Sequence, residues 1–417
     1  MKSHPVRHRM LSLSLIGSMV LWSVVGMADA GLDCPRLPLP VDVLEVKTVA
    51  GPDTDTFEPE PGYVDQPGAA ARFNYPTSLV AQWDTRFGTQ PYIILVADAG
   101  NHSIRRLAAP SPDAWARVEV RTLAGNGEPG DADGPGDQAR FHYPMDVTVS
   151  HTDAARGWVY VADTFNHRIR RIDPEGHVST VAGSGAPGYT DGEGWAAEFN
   201  TPMGLAYGEV GGEPVLFVTD TENHCVRMIG LSNAGNEVTT LAGLCGEAGY
   251  ANGPADAARF ARPRRLSWRP GSLFVADEGN GALRWIRFEE DGPRVSTIAG
   301  GPLESESAIN VLSAMVDSRD NVYLVNGQTI GVIRRERRGG YEPQPTLLAG
   351  DGTMGYENGC WDTAKFNAPL SAAPYFHTIA VADTYNHTIR LIQPIEQAAI
   401  ATGRCPSCGP VASPDYR

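Results

Sequence analysis

Val161-Ala162-Asp163-Thr164-Phe165-Asn166-His167-Arg168-Ile169-Arg170-Arg171-Ile172 is the stretch that decides the fold, because close copies of it return along most of the chain. They run at Val96 to Leu107 (VADAGNHSIRRL), Val218 to Ile229 (VTDTENHCVRMI), Val275 to Ile286 (VADEGNGALRWI) and Val381 to Ile392 (VADTYNHTIRLI), with a worn copy at Val325-Asn326-Gly327. The anchoring acids Asp98, Asp163, Asp220 and Asp277 are spaced by 65, 57 and 57 residues, and Asp383 follows after 106, which leaves room for two shorter periods around Asn326. Six units are implied. A period of this size, built from short β-rich pieces, is the signature of a propeller or solenoid.

Each period holds a second block. In one copy it reads Thr180-Val181-Ala182-Gly183, then Gly188-Tyr189-Thr190-Asp191-Gly192, then Ala197-Glu198-Phe199-Asn200-Thr201-Pro202-Met203-Gly204-Leu205. Together the blocks resemble the NHL repeat, whose members are six-bladed β-propellers, and the resemblance runs from about Val43 to Ile392. It implies an all-β ring of six four-stranded blades. Fold alone does not name an activity.

Ring closure is legible at the two ends. Val43 to Ala50 looks like the outermost strand of a blade whose other strands are missing from the N-terminal side, while the last repeat lacks a closing "TLAG". The expected solution is that Val43 to Ala50 completes blade 6 beside Thr388 to Ile392, leaving no open edge. Blade 1 carries an insertion around Trp83 to Gly88, and blade 5 replaces the second block with Gly300 to Leu312.

The first thirty residues are read as a signal peptide: Lys2, Arg7 and Arg9 precede an apolar run from Met10 to Met27, and Ala28-Asp29-Ala30 supplies a small-x-small cleavage pattern. The expected layout is a signal at 1–30, a lead at 31–42, the propeller at 43–392 and a tail at 393–417. A secreted or periplasmic protein follows, with no stable membrane insertion once the signal is removed. The whole chain has a net charge of −15, and the signal carries three basic side chains and one acid, so the rest carries −17. Some proteins of the resembled family bind nucleic acid, but an acidic body lacks the basic face that phosphates require.

Six cysteines lie beyond the expected cleavage site, as an oxidising compartment allows. Cys225 opens a third strand, Cys245 follows the fourth, and the turn Ser232 to Asn236 is centred between them, so an antiparallel hairpin sets the two opposite one another. A bridge between the chain ends from Cys34 to Cys405 or Cys408 is plausible on position, and Cys360, expected on a loop of the other face, has no assignable partner. Cys405-Pro406-Ser407-Cys408 has redox spacing without a βαβ setting, so structural pairing is the reading.

Asp98, Asp163, Asp220, Asp277 and Asp383, with His102, His167, His224 and His387, tempt an acid–base reading, yet a catalytic site needs its acid once. Repetition favours turn fixing by Asp and Asn side chains. The following Arg105, Arg170, Arg227, Arg284 and Arg390 are read as solvated or cross-blade pairing residues. Asn101-His102-Ser103 and Asn386-His387-Thr388 match the glycosylation pattern cheaply, since the repeat itself supplies Asn-His. Asp131 to Asp137 resembles the start of a calcium loop, but its twelfth position is His142, and an Asp-Gly turn is the simpler reading.

Repeat-breaking positions are more telling. Arg262-Pro263-Arg264-Arg265 concentrates positive charge where an inner strand enters the central channel, facing Asp146 with His142 and Tyr143 nearby. A small anionic ligand is one expectation; salt bridging to acids such as Asp256 and Glu198 is the other. The leading function is a binding scaffold for a protein or small anionic ligand, working through the loop-rich face. The alternative is a propeller enzyme: resembled propellers include metal-dependent peptide-amidating lyases and lactonases. No catalytic residue, metal ligand set or cofactor is assignable from the sequence.

Overall fold

A computed structural model describes residues 44–394 apart from 54–59, 84–91, 112–113, 151–156, 232–234, 304, 306 and 376–377. The expected signal peptide and lead, most of the blade 1 insertion, Cys34, Cys405, Cys408 and the tail beyond Pro394 lie outside the described residues. Each period is an antiparallel sheet with four main strands, to which a two-residue strand adds a fifth at the outer edge in blades 2, 4 and 6. Blade 3 shows the pattern with Pro202–Val210, Glu213–Asp220, Cys225–Gly230 and Val238–Ala242 in spatial order. Blade 6 is composite: Leu44–Ala50 pairs antiparallel with Thr388–Pro394, Val46 opposite Ile392, next to Thr378–Asp383 and Ser371–Tyr375. The chain ends therefore latch the ring as expected. Cys360, expected on a loop, instead lies in the short strand Gly359–Cys360 outside Leu44–Ala50, and it is disulfide-bonded. Among the described residues there is no α-helix, and no helix long and apolar enough to cross a membrane.

Alternation of apolar residues on both sheet faces makes each blade sticky on two sides, so packing is between blades. Ile93, Leu95 and Ala97 of blade 1, for example, pack with Val147, Val149, Val159 and Val161 of blade 2. Six such apolar layers close the circle. Blade 3 is also stapled by Cys225–Cys245, whose Cα atoms are 5.2 Å apart.

The repeated arginines are the main correction to the sequence reading. Arg105, Arg170, Arg227, Arg284 and Arg390 are neither solvated nor strung between blades; all are fully buried, and each joins its own blade to the loop that leads into it. Arg170 donates from Nη1 to Asp163 at 2.7 Å and to the Arg140 carbonyl at 3.1 Å, and from Nη2 to the Ala132 carbonyl at 3.0 Å and Asp133 at 2.5 Å. Its guanidinium carbon lies 5.4 Å from the Phe141 ring centroid. Asp163 accepts in turn from the His142 amide at 2.7 Å and from Asn166 at 2.8 Å. Asp65 and Asp191, or Asn252 and Asn358, fill the outer partner position in the other four copies. Burial pushes the Asp98 and Asp220 carboxyls up to about 6 against the pull of the paired guanidinium.

Blade 5 has lost the whole arrangement at once. Asn326 replaces the Asp, Gly331 replaces the Arg, and the loop bearing the outer partner is missing. A Cβ on Gly331 would lie 3.1 Å from the Thr346 carbonyl and 3.2 Å from Pro345, so the outer strand Thr346–Ala349 and its entry pack tightly against this position.

Removing one member of a buried ion pair leaves the other uncompensated, so Asp163→Ala is expected to lower unfolding free energy by about 3–5 kcal/mol in denaturant titrations. A loss below about 1 kcal/mol would contradict this account of the buried pair. Replacing both Cys225 and Cys245 by Ser is expected to cost about 3 kcal/mol from the freed loop, measured the same way.

Candidate functional site

Inner strands enter the central channel after the proline of each regular blade, and the face where they enter also carries the Asp-x-x-Asn-His turns. At the axis the channel is crossed by a side chain. Arg265 of blade 4 donates to the carbonyls of Thr77 in blade 1, at 2.7 Å, and Met145 in blade 2, at 2.6 Å. It pairs with Asp146 at 2.5 Å. Asp146 also accepts from Ser78 Oγ, the Val147 amide at 2.8 Å and the Leu205 amide at 2.7 Å. Blades 1 and 4 are opposite in a ring of six, so this contact spans the opening and ties four blades together. Both side chains are buried.

The other two arginines also hold carboxylates. Arg262 reaches Glu222 at 3.2 Å and Arg264 reaches Glu278 at 3.0 Å. Salt bridging is thus the arrangement found, with Glu222, Glu278 and Asp146 as the acids in place of Asp256 and Glu198; Glu198 accepts from Thr190 at 2.6 Å. The mouth rim over blades 3 and 4 is therefore ionic.

Around the same rim the repeat histidines act as acceptors. His102, His167, His224 and His387 each adopt positive φ, between 51° and 60°, directly after the Asn that braces the turn. Their Nδ1 atoms accept from the amides of Tyr143, Thr201, Arg262 and Tyr75 in the next blade, at 3.2, 3.1, 3.0 and 3.1 Å. Sequence reasoning saw a turn within one blade and missed this link between blades. Burial draws all four imidazoles below their ordinary value of 6.5; His142 adds to the effect at His102 and His167, and Arg262 at His224, where Glu222 opposes it.

Over blades 6, 1 and 2 the rim is aromatic. Tyr75 meets Tyr385 at 5.1 Å and His387 at 4.9 Å between ring centroids. His142 lies 5.7 Å from His102 and 5.4 Å from Phe165, and Tyr143 lies 5.3 Å from both His102 and Phe165. Phe165 and Tyr385 are each 48% exposed. They occupy the second residue after the Asp, where blade 1 has Gly100, blade 3 Glu222 and blade 4 Gly279. Gly100 has no room for a side chain, since a Cβ there would meet Asn74 at 2.6 Å. The two aromatic clusters thus flank a low point over blade 1.

Elsewhere, a cavity of about 500 Å³ beside the outer strand of blade 1 is lined by Tyr63, Asp65, Thr122, Asn126 and Asp137, but Asp65 is already held by Arg105. Among the described residues no group of three or more His, Cys, Asp or Glu is placed to share a metal ion.

Because Arg265 and Asp146 neutralise one another in the channel, Arg265→Met is expected to lose about 3–5 kcal/mol of stability, and adding Asp146→Asn should restore part of it. Thermal or denaturant melts of the single and double variants check this; strict additivity would mean the pair does not interact.

No family model matches the chain. It is 28% identical over 342 residues to NHL repeat-containing protein 2 of Homo sapiens, covering 72% of this chain and 44% of that protein. It is 34% identical over 157 residues to the chloroplastic protein SUPPRESSOR OF QUENCHING 1 of Arabidopsis thaliana, covering 35% of this chain and 14% of that one. The chain therefore spans less than half the length of these relatives. A crystal structure of a Bacteroides thetaiotaomicron protein of unknown function superposes with a TM-score of 0.55 at 17% identity, covering 84% of this chain and 76% of that chain. With the repeat, the six blades and these relatives in agreement, the chain is a six-bladed β-propeller whose repeats are similar to those of NHL repeat-containing proteins.

Proposed function

We propose that this propeller is an exported binding module whose ligand docks on the aromatic half of the mouth face, across blades 6, 1 and 2. The observation that carries the reading is the placement of Phe165 and Tyr385. Blade 3 carries Glu222 at the same position of the same turn, so the fold does not require a ring there. Leaving half of each ring in water forgoes burial worth about 1–2 kcal/mol unless a partner covers it.

The chemistry of the trough narrows the ligand. The imidazoles of His102 and His387 are neutral at pH 7, and the flanking side chains are Tyr, Phe, His and Asn. This surface matches an uncharged ligand that offers ring faces for stacking and hydroxyl groups for hydrogen bonding, such as a saccharide chain. The cationic half is less available to an anion, since Arg262, Arg264 and Arg265 already hold carboxylates. Export is supported by the Cys225–Cys245 bridge, which persists in oxidising compartments.

The test is a binding screen with neutral oligosaccharides, followed by calorimetry on any hit. Phe165→Ala and Tyr385→Ala are each expected to weaken binding about tenfold, with stability unchanged. Full affinity in the double variant, with loss in Arg262→Ser/Arg264→Ser, would move the site to the ionic half and restore an anionic ligand.

A further inference from the structure

Five of the six blade junctions on the mouth face set a side-chain acceptor against a backbone amide, and four of those acceptors can take up a proton. The fifth cannot: between blades 5 and 6 the Gln328 side chain accepts from the Ala368 amide at 2.8 Å. Between blades 4 and 5, where Gly281 stands in the histidine position, the Ile309 amide reaches the Gly281 carbonyl at 2.9 Å.

The amides involved are not ordinary ones. Tyr75, Tyr143, Thr201, Arg262 and Ala368 all have positive φ, between 44° and 58°, and each immediately precedes a proline. Proline disfavours helical backbone in the residue before it, and left-handed φ in a non-glycine residue adds strain of about 1–3 kcal/mol. Such residues persist only while their surroundings hold them. An imidazole that accepts at Nδ1 is neutral, with its proton on Nε2. A second proton at Nδ1 turns the acceptor into a donor aimed at another donor, and the contact becomes repulsive.

We infer that His102, His167, His224 and His387 form a proton-sensitive clasp that releases four blade junctions of the mouth face under mildly acidic conditions. The clasp regulates the ligand site, and that regulatory role rests on the binding reading above; the release itself does not.

The charged and titratable groups around each clasp are few. His102 faces His142, Tyr143 and the more distant Glu128, and His167 faces His142. His224 faces Glu222 and Arg262, and His387 faces Tyr75. Each imidazole sits below 6.5 in the folded ring, so the unfolded chain binds more protons there. The clasp contribution is therefore present above the ordinary value of 6.5 and is lost as pH falls through the lower folded values. The buried Asp carboxyls have the opposite sign. Their folded values are raised, so their contribution is retained on the acid side and lost as pH rises. Asp383 stands behind the Ala368 junction, accepting from the Asn367 amide at 2.8 Å, so that junction experiences the carboxyl effect without the imidazole.

This supplies an internal control in the unaltered chain. Hydrogen-exchange mass spectrometry with residue-resolving fragmentation, at pH 7.5 and pH 5, corrected for intrinsic exchange, is the experiment. The amides of Tyr75, Tyr143, Thr201 and Arg262 are expected to lose protection roughly fivefold at the lower pH, the value of one hydrogen bond, while Ala368 holds. Replacing all four histidines by Gln, the residue already used at position 328, should abolish the difference. Equal loss at Ala368, or no loss at the other four, overturns the inference. Because no ligand is present in this measurement, its outcome is separate from that of the oligosaccharide screen.

Discussion

A guanidinium group buried at the heart of each regular blade is the constraint on which the structure depends. A charge of that size taken out of water is tolerated only when its hydrogen-bonding positions and its counter-charge are in place. Each blade meets the demand with one Asp from the turn after its second strand, a second Asp or Asn from the incoming loop, two carbonyls and an aromatic face. The loop, the turn and the third strand are thereby held in one relation to each other. The same relation recurs five times, which is why the blades superimpose and the ring closes.

The irregular blade clarifies the rule. Blade 5 has not lost the arginine alone; Asn326, Gly331 and the shortened entry after Gly300 form one coordinated deletion. A partial loss would leave a buried charge without its partner, a worse state than either complete arrangement. In its place the outer strand packs closely against Gly331.

The mouth face shows a similar economy of means. The Asn-His pair of the repeat does two jobs, with Asn bracing its own turn and His accepting from the next blade. The axis is crossed by Arg265, an internal tie, so of the two readings of the mouth arginines salt bridging is the arrangement found. Neither arrangement is visible within one repeat, because both partners of each contact lie in different blades. Nothing in a linear reading distinguishes an exposed guanidinium awaiting a ligand from one whose donors already face Thr77 and Met145. The aromatic clusters escaped notice for a related reason. Phe165, Tyr385, Tyr75 and Tyr143 are scattered over more than 300 residues, and only ring order brings blade 6 beside blade 1.

From the chain alone came the number of blades, the strand pattern within them, the closing strand at Leu44–Ala50 and the Cys225–Cys245 bridge. Those features are periodic or local, so residue spacing encodes them directly. The tertiary structure decided where charge and aromatic rings end up: arginines read as solvated or cross-blade pairing residues are interior, the arginines at the channel mouth hold carboxylates, and Phe165 and Tyr385 come to flank blade 1. Burial and pairing of a side chain depend on what the rest of the ring places around it, and that information is distributed over blades far apart in the chain.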